Sequence, residues 1–99
     1  MRFNYEKIPW DIKEIITINE IQTILIIKDI QYLLVFDKIF HGKPIIGLHF
    51  LKELSWLKID RILMPSNGDF YKYIKYLLNN NNILVTREEV NAITRRWSR

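Results

Sequence analysis

Residues 21–36, IQTILIIKDIQYLLVF, read either as one buried helix or as two strands joined by a turn. A helix would need an apolar stripe, but Gln22, Thr23, Lys28, Asp29 and Gln31 scatter around the helical wheel. Seven of the sixteen residues are β-branched, which favours extended backbone. The stretch is therefore read as strands 22–27 and 31–36, paired as a hairpin that turns at Lys28-Asp29. Both strands are apolar on both sides, the mark of central strands covered on two faces.

Outward from this hairpin, Pro44 suits the first position of a helix. Ile46, Phe50, Leu54 and Leu57 then recur at helical spacing. A helix over 45–57 is expected, with Gly47 a mild defect. A short strand over 59–63 stops at Pro65. Ser66, with Asp69 three positions later, has capping-box spacing ahead of a helix over 69–78, whose Phe70, Tyr73, Ile74, Leu77 and Leu78 should point inward. Asn79 to Asn82 reads as a helix stop, because asparagine tolerates left-handed backbone. A short strand over 83–85 follows. Thr86 and Glu89 form the strongest local signal, a reciprocal capping box opening a helix over 87–97 that turns Val90, Ile93 and Trp97 inward. Toward the N-terminus, a strand over 2–5 and a short helix over 9–16 are expected. The sum is one α+β domain over residues 1–99: a central β-hairpin plus one or two short strands, covered by three or four helices.

Composition narrows the function classes. The 99 residues are 48% hydrophobic and 26% charged, which excludes a disordered tail. Cysteine is absent, removing disulfide, thiol and thiolate-metal chemistry and favouring an intracellular home. No signal-like or membrane-spanning run is evident, so the chain is expected to be soluble and cytoplasmic. The net charge of +4 is uneven: residues 1–40 hold five Lys and Arg against six acids, and residues 41–99 hold ten against five.

Catalytic chemistry finds little purchase. His41 and His49 are eight apart, with no further ligands at metal-site spacing. Ser55, Ser66 and Ser98 lack a nucleophile setting. Asp11 and Lys13 have the acid-x-Lys spacing of a metal-dependent nuclease, and Asp29, Asp37 and Asp60 lie near strand ends or within a strand. No second acid stands at a recognisable spacing, which leaves the nuclease a remote alternative. A phosphate loop at Pro65–Asp69 is disfavoured by its single glycine and by Asp69 in the first helical turn. No cofactor, metal or small-molecule substrate is expected.

Binding fits better. Trp10, Trp56, Trp97 and five tyrosines are many large aromatics for this length, and aromatics with arginine dominate interface hot spots. A protein partner, or a second copy of the chain, is the leading reading. The alternative is nucleic acid, held by Arg95, Arg96 and Arg99 at the basic end and by Lys72, Lys75 and Tyr76 on the outer side of the 69–78 helix. Acids opening the last helix and arginines closing it also suit the helix dipole, which explains them without a ligand.

Eighteen isoleucines, eight asparagines and a single alanine point to an AT-rich gene. In its Cys-free, Ile-, Lys- and Tyr-rich style, with stretches such as TILIIKDIQYLLVF (23–36) and VTREEVNAITRRW (85–97), the chain resembles the small uncharacterised proteins of filamentous viruses that infect thermophilic crenarchaea. The resemblance covers the whole chain in size and style and implies a heat-resistant α+β domain acting in the cytoplasm of an infected cell. It carries over no functional residue.

Overall fold

The computed structural model describes residues 11–40, 43–65 and 68–97, with 38–40 as backbone. Five strands form one antiparallel sheet in simple sequence order: β1 (Ile12–Thr17), β2 (Gln22–Ile27), β3 (Ile30–Phe40), β4 (Lys43–Lys52) and β5 (Ser55–Leu63). Two helices follow, α1 (Phe70–Asn80) and α2 (Arg87–Ile93).

The β2–β3 hairpin is present as read, with Ile27 paired to Ile30 and Gln22 to Val35. Its turn residues Lys28 and Asp29 both have positive φ, 50° and 69°. That left-handed pair matches the right-handed twist of the flanking strands.

Other expectations need correction. A sheet covered by three or four helices is not what forms: a five-stranded meander carries two short helices. The helix expected over 45–57 is instead β4, a turn and the start of β5. Ile46, Leu48 and Phe50 alternate onto one face of the sheet and pair with Phe36, Leu34 and Tyr32 of β3. Leu54, expected on the helical stripe, sits at the turn tip at 97% exposure beside Glu53 with φ 58°. Strand β5 therefore begins four residues before the expected 59. The helix expected over 9–16 is replaced over its described part by β1, where Ile15 and Thr17 face Leu25 and Thr23 of β2. The strand expected over 2–5 lies outside the described residues. The strand expected over 83–85 does not form among the described residues, and α2 ends at Ile93, after which turns carry the chain to Trp97.

The core lies between one sheet face and the helices. Leu25, Ile27, Leu34, Phe36, Ile46 and Leu48 pack against Ile74, Leu77 and Leu78 of α1 and Val90 and Ile93 of α2. Trp97 stacks on Phe36 at 5.2 Å between ring centroids, and Phe70 meets both rings edge-on. The Trp97 indole N–H is buried and has no hydrogen-bond partner among the described residues.

Local chemistry fixes the helix ends. The reciprocal box holds: Thr86 Oγ1 accepts from the Glu89 amide at 3.1 Å, and Glu89 Oε1 accepts from the Thr86 amide at 2.7 Å. At α1 the cap is Asp69 itself, which accepts from the Tyr71 amide, while Ser66 lies outside the described residues. Asn81 and Asn82 end α1, with Asn82 at φ 62°. Two threonines tie the C-terminal end of α2 to the sheet. Thr23 donates to the Ile93 carbonyl at 2.9 Å, and Thr17 to the Ala92 carbonyl at 3.5 Å.

Candidate functional site

The strand register places a second set of apolar side chains on the sheet face away from the helices. Ile16 of β1 pairs with Ile24 of β2, which pairs with Leu33 of β3. Ile26 and Val35 share this face, as do Ile45 and Leu51 of β4 and Trp56 and Leu63 of β5, their partners. None of these nine belongs to the core under α1 and α2. Leu33 is the most hidden, at 6% exposure, whereas Ile16, Trp56 and Leu63 are exposed.

Glu14 stands on the β1 edge of this face, Lys58 and Arg61 on the β5 edge, and Asp37 of β3 between them. Gly47, opposite Val35 and Arg61, leaves a dimple of about 90 Å³ walled by Asp37, Ile45, His49, Lys58 and Arg61. His49 lies in a strand rather than the expected helix. Its imidazole is held below the usual histidine range, first by burial and then by the positive charge of Lys58. In β5, Lys58 opposes His49 and Asp60 opposes Leu48, so Ile59 is the extra residue of a β-bulge.

The residues singled out for nucleic acid divide between two surfaces. Lys72, Lys75 and Tyr76 border one groove beside α1, with Ile62, Tyr71 and Tyr73. Arg95 and Arg96 border another, with Ile15, Ile16, Thr17 and Ala92. Arg99 lies outside the described residues. Arg87, not singled out from the sequence, joins the α1 surface: its guanidinium lies 3.8 Å from the Tyr71 ring centroid. Its place at the start of a capped helix gave no sign of this, because the contact depends on how α2 packs beside α1.

The other candidates are dispersed. Asp11 accepts from the Leu84 amide at 3.2 Å, and Lys13 reaches Asp29 at 4.0 Å. Asp60 accepts from the Asn81 side chain. Among the described residues, no three acid or histidine side chains gather to hold a metal ion. Trp97 is a core residue, Trp56 belongs to the sheet face away from the helices, and Trp10, His41 and Ser98 lie outside the described residues. No described helix is long and apolar enough to cross a membrane. No protein-family model, curated protein or solved structure matches this chain.

Proposed function

We propose that the protein works by binding, not by chemistry, and that the sheet face away from the helices associates with a second copy of the chain. One observation carries this reading: nine apolar side chains stand on a face that contributes nothing to the core beneath the helices. A sheet buries its apolar face against another layer, and contiguous apolar patches mark association surfaces.

The charge layout favours a second copy as the partner. A two-fold axis parallel to the strands lays β1 of one copy over β5 of the other. Glu14 then comes to the Lys58 side of its counterpart, while Leu33 and Val35 pack near the axis. A two-fold axis across the strands would instead set the β5 cations against each other. The bulge at Ile59 twists the β5 edge, which disfavours strand addition and leaves the face as the better surface.

Light scattering and sedimentation across a concentration series test this. The expected mass is twice 12.1 kDa. Val35→Lys places an ammonium group at the interface centre and should give a monomer with an unchanged circular dichroism spectrum. A wild-type chain that remains at 12.1 kDa at the highest concentrations, or a Val35→Lys chain that still dimerises, refutes the proposal.

A further inference from the structure

The outer side of α1 carries a second surface, separate from the sheet face away from the helices. A groove of about 570 Å³ runs along it, lined by Tyr71, Lys72, Tyr73, Lys75 and Tyr76. A second groove, about 500 Å³, lies between α1 and residues 84–88 and shares Tyr71 and Lys75 with the first. Three cations are seated on aromatic rings here. Lys72 Nζ is 5.7 Å from the Tyr73 centroid, Lys75 Nζ is 5.5 Å from that of Tyr71, and Arg87 lies on the same Tyr71 ring. Such seating holds a long side chain in place without removing its charge. Tyr76 is 58% exposed. Glu88 is the acid bordering the second groove.

We propose that this α1 surface binds single-stranded nucleic acid, with Lys72, Lys75 and Arg87 following the phosphates and Tyr76 stacking on a base. Charge and ring faces together select this ligand. An acidic peptide would match the cations but leave the Tyr76 ring without a stacking partner. A duplex hides its base faces within the stack and offers the Tyr76 ring nothing to stack on, whereas an unpaired strand presents them.

The test is fluorescence anisotropy with labelled oligothymidylate and oligouridylate, and with a labelled duplex for comparison. Three neutralised phosphates predict a loss of about 20-fold in affinity between roughly 50 and 200 mM salt. Lys72→Ala/Lys75→Ala should cut that dependence to about threefold. Tyr76→Leu should weaken binding about fivefold or more and leave the salt dependence unchanged. Arg95→Ala/Arg96→Ala, on the other surface, should bind as wild type. Val35→Lys should also bind as wild type, so this proposal and self-association fail separately. Absence of binding at low salt overturns the proposal. So does loss confined to the Arg95/Arg96 variant, or duplex binding equal to single-strand binding.

Discussion

Thr23 offers the sharpest test of how the helix layer is fixed to the sheet. It is fully buried, and its hydroxyl donates to the carbonyl of Ile93, the last residue of α2. Carbonyls in a final helical turn have no next turn to bond to, so this one relies on the sheet. Thr23→Val preserves the side-chain shape and removes the donor. A buried carbonyl left unpaired costs about 1–3 kcal/mol, and the added methyl recovers up to ~0.8 kcal/mol through burial. The expected net loss is about 1–2 kcal/mol. At about 4–8 °C per kcal/mol for a domain of this length, the melting midpoint falls by roughly 4–16 °C. Thr17→Val is the internal control. Its bond to Ala92 is 3.5 Å long and half-buried, so its change should stay within about 0.5 kcal/mol. Thermal melts followed by circular dichroism, at one fixed protein concentration, measure both variants. If Thr23→Val melts with Thr17→Val or above wild type, the Thr23 hydroxyl does not anchor α2.

Further outcomes follow from the turns, caps and charges. Lys28→Asn/Asp29→Gly should stabilise the chain by about 1–2 kcal/mol, because both positions are left-handed; urea unfolding midpoints measure this, and no gain contradicts the turn geometry. The exposed Lys13–Asp29 pair, 4.0 Å apart, is too weak to offset the gain. Thr86→Ala removes one half of the capping box and should cost about 1 kcal/mol in the same measurement. His49 is held below its unfolded value, so its stabilising contribution is complete above about pH 6.5 and is lost as pH falls from there toward the folded value. His49→Gln should therefore flatten the decline in stability between about pH 7.5 and about pH 5.5. An unchanged slope would show that other groups cause it.

Short-range signals were legible in the sequence. The β2–β3 hairpin followed from β-branched density and the missing helical stripe, and the Thr86–Glu89 box from two residues three apart. The 45–57 stretch was not, because Ile46 and Phe50 suit a helical stripe and an alternating strand alike. The choice there is made by β3, whose eleven residues offer β4 a partner. Residues 12–16 show only a helix-start signal before them, and their strand comes from pairing with β2. Apolar residues on both sides of 22–36 rightly marked the strands as internal to the sheet, but among the described residues the helices lie on one face only. At the candidate site, the helical spacing of Lys72, Lys75 and Tyr76 was readable. Arg87 joins them through packing between helices, and the same packing keeps Arg95 and Arg96 on a separate surface.

The sequential meander also sets an order of events during synthesis. Each strand pairs with its neighbour in the chain, so hairpins can close one after another as they leave the ribosome. The contact from Thr23 to Ile93 spans seventy positions, so the face that the helices cover stays wet until the last turn of α2 has emerged. Until then the nascent sheet shows apolar side chains on both sides, not one. A polysome brings several such sheets close together, and this is the interval in which chaperone capture competes with misassembly. The interval between the emergence of the sheet and the emergence of α2 thus sets how long the chain remains at risk.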